Sequence, residues 1–538
     1  MLASLIFLVA GTAAGADCGP TAYECAVAQV SRRDFAGAIR SLDEVLGAAP
    51  RDLKALNLLG IALTGAGRVD EANRRFQQAL SLDPTFYPAL KNLAVNEFAR
   101  GRYAESQRHF EQVLKLAPAD DVAHVHLAEI HFNKKELAAA LGHYEKAGAR
   151  VAQDPAWTLH HARCLLEKGR AKDAVAVLDR LPPADADAQF QAGVLLGQAN
   201  VSAPAAAFFG RSRAGYRDPY VAAYNQVLML NRAGQAEEAL RIAEGLVAER
   251  AQPAELYRLM SEAYLDQGRI KEAYDALRTA TRLEPQNEEL YLDLAGICVD
   301  HDNFDLGLEI VDVGLSHRPD SLALRLQRGV MLAMKSQIGQ AEAEFDRARE
   351  MAPQAAAPYV ALAMAWMQTG RTEKAVEVLR ERGRAGDKSA VIPYMLAVAI
   401  LRSGADPAGP AGAEAVAALE SSVRLDPGFP GSRAELGKLL LKRGAVEPAM
   451  RQLEKAVALD PQNPAPAYAL AQAYFKTGAK DRAEKLMSQV SSLNARQRMG
   501  SPDDELRRMV VRIVREGTAP ASPASPAAPP SPGRPPSP

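Results

Sequence analysis

Apolar residues along most of this chain recur at spacings of three and four, which places them on one face of a helix. In the clearest segment, Leu56, Leu59 and Leu63 follow this spacing, and a Gly-Ala-Gly stretch at 65–67 then interrupts it. A second helical face follows and stops before Pro84, because proline cannot continue the backbone hydrogen-bond ladder. We therefore predict two helices joined by a tight turn in this segment.

The same pattern returns about every 34 residues. The alanine at position 72 recurs at this interval along the chain, and so does the proline that closes each copy, as at Pro84. Two places break the interval: residues 198–204 shift it by about three, and residues 406–412 lengthen one turn between helices. Such a break is a tolerated insertion in a surface loop, a contact loop or a bend in the solenoid. Copies begin near Gly19, Leu53, Tyr87, Asp121, Pro155, Ala184, Tyr220, Ala254, Glu288, Leu322, Ala356, Lys388, Pro430 and Pro464.

Leu59-Gly60, Ala72, Phe76 and Pro84 lie at the offsets of the tetratricopeptide repeat (TPR), and the chain resembles that family. One helix pair cannot bury its apolar face alone, so successive pairs must stack. The resemblance implies an all-α fold, a right-handed α-solenoid superhelix of about 14 helix-turn-helix units over residues 17–490. It also implies that the first helix of each pair lines a groove in which partner peptides bind.

Composition narrows the function further. The chain has 64 Lys and Arg against 65 Asp and Glu, a net charge of −1, which gives no support for nucleic-acid binding. No catalytic or phosphate-binding motif stands out, so we predict no enzyme, no cofactor and no metal site. The residues that come nearest to a catalytic or metal-binding pattern are four histidines close together in the sequence, His124, His126, His131 and His143. A stand-alone enzyme built on these histidines is the weakest of the interpretations.

The N-terminal residues 1–16 have the pattern of a secretory signal, apolar from Leu2 to Ala14 with a small-x-small ending. No Lys or Arg precedes the apolar run, which departs from the usual signal. We expect a periplasmic or secreted protein, with a cytoplasmic location as the alternative, and no other segment that crosses a membrane.

The four cysteines divide into two kinds. Cys18 and Cys25 lie near the expected mature N-terminus, and Gly19-Pro20 lets the chain fold back, so export predicts a Cys18–Cys25 disulfide. Cys164 and Cys298 fall on first helices of distant copies, where they are expected to be small buried residues.

The C-terminus changes character twice. Residues 491–516 are predicted to form a charged helix that caps the stack. Residues 517–538 consist of Ala, Pro and Ser apart from a few residues, a composition predicted to be disordered. This tail is a linker, a proline-motif ligand or a spacer.

The resemblance places the candidate partner groove at fixed positions of the first helices. In the tenth to twelfth copies these positions form an apolar strip with several methionines, a surface suited to capture of a helix or an extended peptide. The alternative is that these side chains pack against neighbouring helices or are covered by the tail. The apolar strip comprises Leu326, Val330, Met334, Val360, Met364, Met367, Tyr394, Val398 and Leu401.

Two specialised binding modes of the family find little support. Lys91 and Asn92 lie near the positions of a carboxylate clamp, but Val95 occupies a position that requires asparagine. Asn57, Asn92 and Asn225 form no regular ladder. We therefore predict a protein-interaction scaffold in cell-envelope assembly or export. The alternative is a non-catalytic accessory subunit of a separate enzyme such as a glycosyltransferase or a protease.

Overall fold

The computed structural model describes residues 21–248 and 253–496. Within these ranges the regular structure is entirely helical, with 28 α-helices and one 3-10 helix at Gly148–Gln153. The helices form fourteen consecutive pairs, so the prediction of an all-α stack of about fourteen units is confirmed. The handedness of the superhelix stays a prediction.

The chain divides into two compact units, with the boundary between Ile242 and Ala243. The helices of unit 1 are α1 (Ala22–Ser31), α2 (Phe35–Ala48), α3 (Leu53–Gly65), α4 (Val69–Leu82), α5 (Tyr87–Ala99), α6 (Tyr103–Leu116), α7 (Asp121–Asn133), α8 (Leu137–Ala147), α9 (Pro155–Glu167), α10 (Ala171–Leu178), α11 (Ala186–Gln198), α12 (Ser202–Ser212) and α13 (Pro219–Arg232). The next helix, α14 (Ala236–Ala248), contains the boundary.

Unit 2 continues the pairing. Its helices are α15 (Ala254–Asp266), α16 (Ile270–Leu283), α17 (Glu288–Asp300), α18 (Phe304–His317), α19 (Leu322–Met334), α20 (Ile338–Met351), α21 (Ala356–Gln368), α22 (Thr372–Arg384), α23 (Val391–Arg402), α24 (Pro410–Leu425), α25 (Pro430–Lys442), α26 (Val446–Leu459), α27 (Pro464–Lys476) and α28 (Lys480–Arg496).

The α3–α4 pair shows why the sequence folds in this way. The Asp52 side chain caps α3 by accepting hydrogen bonds from the backbone N–H groups of Lys54 and Ala55. Within the pair, Gly60 lies directly against the ring of Phe76, and a Cβ at this glycine would come within 2.6 Å of the Phe76 Cζ. The two helices can therefore approach closely only because residue 60 has no side chain.

Each of the fourteen turns between paired helices contains one residue with a positive φ angle. This left-handed residue ends the first helix and redirects the chain. Nine are glycines, namely Gly67, Gly101, Gly169, Gly234, Gly268, Gly370, Gly404, Gly444 and Gly478. The other five are Arg33, Lys135, Asn200, Asp302 and Ser336. The stack thus imposes this turn even where the sequence does not favour it.

The first of the two predicted breaks in the repeat was misplaced. The turn at residues 199–201 has three residues, as in α3–α4, so no shift occurs there. The shortening lies earlier, in α10, which spans only eight residues, and it brings the start of α11 forward by three. Pro182-Pro183 mark this early end in the sequence, because they come three to four residues ahead of the closing proline that the interval predicts.

The second predicted break is present. Seven residues, 403–409, separate α23 from α24 where most turns have three. The Arg443 guanidinium at the end of α25 donates a hydrogen bond to the carbonyl oxygen of Pro407. A Cβ at Gly412 would lie 2.6 Å from the carbonyl carbon of Pro407, so the loop also packs closely on the start of α24. The inserted loop is therefore held against its own helix pair and against the end of α25 in the next pair.

Several sequence predictions concern the chain ends. The expected signal at residues 1–16 and the tail at 517–538 lie outside the described residues. The predicted cap at 491–516 begins inside α28, which extends to Arg496, and the remainder is also outside. In the described part of the chain, no helix has both the length and the apolar character needed to span a membrane.

Candidate functional site

The first helices of successive pairs contact one another in each unit. In unit 1 this row consists of α1, α3, α5, α7, α9 and α11, and in unit 2 it includes α17, α19, α21, α23, α25 and α27. These rows are the faces on which the sequence places partner binding. The apolar strip lies on α19, α21 and α23.

Most of the apolar strip is packed inside unit 2. The six buried members are Leu326, Val330, Val360, Met364, Met367 and Tyr394, and they belong to one hydrophobic core with side chains of the neighbouring helices. These side chains fill most of the space between successive first helices, and their contact with a partner stays a prediction. These six side chains pack against neighbouring helices, which is the alternative that the sequence left open.

The remaining three members, Met334, Val398 and Leu401, are half-buried and border the core. A small groove of about 30 Å³ opens beside Met334, with Met364 and the exposed Gln368 in its wall. The surface open to a partner on α19–α23 is therefore a narrow apolar edge. Whether it binds a partner stays a prediction.

Charged groups of α15 and α17 satisfy one another. The Arg258 guanidinium lies 3.1 Å from a carboxylate oxygen of Glu255, 3.9 Å from Glu262 and 3.6 Å from Asp293. Burial alone would lower the pKa of Arg258, but these three carboxylates raise it. These partly exposed side chains thus form an ion-pair network across α15 and α17.

Unit 1 presents a different face, which the sequence analysis did not identify. The ring of Phe98 on α5 lies edge-on to His126 on α7, with centroids 4.9 Å apart. The ring of Phe132 on α7 stacks on His160 of α9 at 4.1 Å. Both pairs join residues 28 apart, so the second pair repeats the first one copy later. Trp157 lies beside His126, with centroids 5.8 Å apart.

Four of these rings are partly exposed, and together they form the aromatic strip, which we define as Phe98, Phe132, Trp157 and His160. The buried Glu129 contacts one ring of this strip, that of His160. Both carboxylate oxygens lie 3.1 Å from His160 Nδ1, and one accepts a hydrogen bond from the Tyr144 hydroxyl. Burial and the Glu129 charge raise the pKa of Tyr144, so its proton remains available for this bond.

Polar contacts extend the same face toward α3. Asn92 Nδ2 donates to Asn57 Oδ1 at 2.9 Å, and Lys91 Nζ lies 2.9 Å from a carboxylate oxygen of Asp120. Asn225 is elsewhere, buried on α13, where its amide donates to the carbonyl oxygen of Val221 at 2.8 Å. The structure therefore joins two of the three asparagines considered for a ladder and leaves the third apart.

The structure also separates the predicted histidine group. His124, His131 and His143 come together between α7 and α8, whereas His126 is enclosed by Phe98, Phe110 and Trp157. Among the residues described, no group of three or more His, Cys, Asp or Glu side chains has an arrangement that could hold a metal ion.

The cysteines of the first helices are buried, as predicted. Burial raises the pKa of the Cys164 thiol to about 12, and it also raises the pKa of Cys298. Both are free thiols without the depressed pKa of a nucleophile. Cys18, the predicted partner of Cys25, is outside the described residues, and that disulfide stays a prediction.

A signal for the aromatic strip was present in the sequence. Phe98 and Phe132 are 34 residues apart and occupy the twelfth position of their first helices, as does Met367 of the apolar strip. His126 and His160 are likewise 34 apart. Reading the histidines as possible ligands obscured their recurrence at the repeat interval.

The sequence profiles of the tetratricopeptide repeat match more than half of the chain. One profile matches residues 29–95, 97–160, 134–194, 264–328 and 449–499, and a second matches 335–388 and 412–464. The chain belongs to the tetratricopeptide repeat family. No curated protein matches the sequence of this TPR chain.

Solved structures resemble the TPR fold of this chain at low identity. Yeast Tom70 is 17% identical with a TM-score of 0.42, over 81% of this chain and 96% of that one. The APC/C hetero-tetramer Cut9-Hcn1 is 12% identical with a TM-score of 0.32, over 92% of this chain and 95% of that one. Naa15/Naa10 bound to HypK-THB is 12% identical with a TM-score of 0.36, over 93% of this chain and 97% of that one.

Proposed function

We propose that this TPR protein is a scaffold that binds partner proteins on its rows of first helices. The observation that carries the proposal is the aromatic strip of unit 1. Its rings pack on buried groups, since His160 contacts Glu129 and both Phe98 and Trp157 contact His126, yet they remain partly exposed. Rigid aromatic side chains of this kind supply much of the binding energy at protein interfaces.

The apolar edge of unit 2 is a second contact surface in this proposal. Met334, Val398 and Leu401 project from the same row of first helices whose inner members form the core. Flexible methionine and aliphatic side chains adapt to the shape of a bound peptide. The partner is accordingly a protein or a peptide with apolar anchor residues.

Crosslinking of the full chain in its host cell, followed by purification, tests the proposal. The double variant Phe98→Ala/Phe132→Ala should reduce the yield of a specific crosslinked partner at least about tenfold, a hot-spot effect. Leu116→Ala is the matched control, because Leu116 is 46% exposed but lies on the second helix α6. Unchanged capture by the double variant, with normal circular dichroism, would contradict a role for the aromatic strip.

The apolar edge requires its own variant. Met334→Lys/Leu401→Lys should weaken capture, whereas Leu425→Lys, at an exposed leucine on α24, should not. Identification of the captured chain also separates the two functional hypotheses. A catalytic chain as the constant partner would indicate an accessory subunit, and a non-catalytic assembly component would indicate a scaffold.

We place the protein in the cell envelope, in assembly or export. The support is the apolar segment from Leu2 to Ala14 with its Ala-Gly-Ala ending. Fractionation should recover the full chain outside the cytoplasm and a chain lacking residues 2–16 inside it. Equal cytoplasmic recovery of both would refute this location without affecting the scaffold proposal.

A further inference from the structure

Seven of the nine histidines of the chain lie between residues 109 and 161, within three consecutive helix pairs. Three of them form a contiguous imidazole cluster, which we define as His124 and His131 on α7 and His143 on α8. His124 Nδ1 and His143 Nδ1 are 3.0 Å apart, and the rings of His131 and His143 stack with centroids at 5.4 Å and an interplanar angle of 10°. The cluster therefore joins the two helices of one pair through imidazole contacts.

The hydrogen bonds fix which nitrogens carry protons. His124 Nε2 lies 2.9 Å from the carbonyl oxygen of Pro118, which can only accept, so this nitrogen holds a proton. In neutral His124 the Nδ1 atom is then the acceptor, and His143 Nδ1–H donates to it. His131 Nδ1 lies 2.6 Å from a carboxylate oxygen of Glu136 and also carries a proton.

This arrangement has a limited capacity for further protons. His124 Nδ1 and His143 Nδ1 share one proton at 3.0 Å, and a switch of the His143 tautomer can only reverse the direction of this bond. With both imidazoles charged, two N–H groups would face each other and the bond that joins α7 to α8 would be lost. A proton on His143 would put a cation between two other imidazoles, at a half-buried position. The His131 ring, which lies 2.6 Å from Glu136, stacks on the His143 ring, so a charge on His143 would face a second imidazole there.

Charged groups on the surrounding elements do not remove this limit. Glu111 on α6 favours a proton on His143, whereas Lys146 on α8 opposes it. At the other end of the cluster, Asp120 forms an ion pair with Lys91 on α5, and Asp121 forms one with Arg150 in the 3-10 helix.

We propose that the imidazole cluster makes the α7–α8 pair a proton-sensitive joint, closed near neutral pH and loosened in mild acid. Burial, followed by the neighbouring His124 and His131, lowers the pKa of His143 from its ordinary 6.5 to about 4. The unfolded or opened chain therefore takes up this proton at higher pH than the closed pair does. The stability of the closed pair consequently falls as the pH drops from about 6.5 toward 4.

The chain carries a natural reporter for each unit, because its two tryptophans are Trp157 in unit 1 and Trp366 in unit 2. Full-length protein with Trp366→Phe reports unfolding around α9, and protein with Trp157→Phe reports unfolding around α21. Urea midpoints, rather than intensities, are compared at pH 7.5 and 5.0, since a charged His126 beside Trp157 also quenches its emission.

The Trp157 midpoint should fall by about half a molar to one molar urea between pH 7.5 and 5.0, and His143→Asn should remove a large part of that fall. Asparagine retains a donor near the Nδ1 position but takes up no proton. His301→Asn, in unit 2, is the matched control and should leave the fall unchanged. His124→Asn serves as a second variant if His143→Asn fails to fold at pH 7.5.

The outcomes are separable. A full acid-induced fall in both His143→Asn and His124→Asn would overturn the proposal and assign the acid response to other groups. Loss of the fall in either variant, with the control unchanged, supports it. Should both tryptophans report one common transition, the same comparison of variants decides the question.

Discussion

Units 1 and 2 use one helix-pair framework but fill the contacts between successive first helices in different ways. Between α3, α5, α7 and α9 the contacts include imidazoles, asparagines and a buried carboxylate, and several aromatic rings remain partly exposed. Between α19, α21 and α23 they are aliphatic and methionine side chains, most of them buried. The repeat geometry therefore fixes helix positions without fixing the chemistry between them. Polar contacts make one region sensitive to protonation, whereas the other depends on packing alone.

The largest expected effect concerns the packed contacts of unit 2. Leu326→Asp should lower the free energy of unfolding by about 4 kcal/mol or more, because it buries an unpaired charge. Met334→Asp, at a half-buried position of the same strip, should cost within about 1 kcal/mol. Urea unfolding followed by Trp366 fluorescence measures both. Equal effects would show that the packed interior and the exposed edge of the strip are not distinct.

A second prediction tests the framework that both units share. Gly60→Ala in unit 1 and Gly329→Ala in unit 2 should each destabilise by about 2 kcal/mol, since the new Cβ would lie 2.6 Å from Phe76 Cζ or 2.7 Å from Phe345 Cδ1. Circular dichroism during urea unfolding measures the loss.

The control for this pair is Gly47→Ala in α2, where a Cβ meets no atom within 4 Å. That change should stabilise by up to about 1 kcal/mol through helix propensity. Clear destabilisation by Gly60→Ala with no effect of Gly329→Ala would mean that the close helix approach is not common to both units.

A third, smaller effect uses the two stacked His–Tyr pairs. His161 lies on Tyr144 in unit 1, and burial lowers the pKa of His161 to about 4. Because the unfolded chain takes up this proton near pH 6.5, stability is lost as the pH falls from there toward 4. The free energy of unfolding of His161→Phe, measured relative to that of the parent protein, should therefore be about 1 kcal/mol higher at pH 5 than at pH 7.5.

His317→Phe is the counterpart in unit 2, where His317 stacks on Tyr291. It should show a clearly smaller gain in the same pH comparison by calorimetry. A gain of similar size in the two variants would remove the predicted difference in acid response between the units.

The smallest expected effect is that of Trp366→Phe, within about 0.5 kcal/mol. The indole Nε1 is buried without a hydrogen-bond partner, so the loss of apolar contact is offset by removal of an unsatisfied donor. Thermal unfolding measures the change, and a loss above about 2 kcal/mol would reveal a packing role for the indole in unit 2.

Much of the fold was predictable because the repeat is regular. The starts of α3, α5, α7 and α9 coincide with the residues expected from the 34-residue interval, as do those of α15, α17, α19, α21, α25 and α27. The early end of α10 had a signal only after the helix, where Pro182-Pro183 come three to four residues ahead of the closing proline that the interval predicts.

The candidate site was less predictable. Position in the repeat indicates which residues lie on first helices, but exposure depends on the size of the side chains of the next pair. Val330 and Val398 each lie six residues before the left-handed residue of their turn, yet the first is buried and the second is half-exposed. The role of Glu129 beneath His160 depends on a contact between residues 31 apart and has no local signal.

The turns between paired helices have a consequence for engineering. Five of the fourteen hold a residue other than glycine in the left-handed conformation, where a side chain costs about 1 kcal/mol or more, less for Asn and Asp. Three of these turns lie in unit 1 and two in unit 2. Glycine at Arg33 would relieve backbone strain at a position remote from both strips, whereas Lys135 and Ser336 follow Phe132 and Met334 by only three and two residues. A more thermostable form of the protein can thus be built at the Arg33 turn while its interaction surfaces stay untouched.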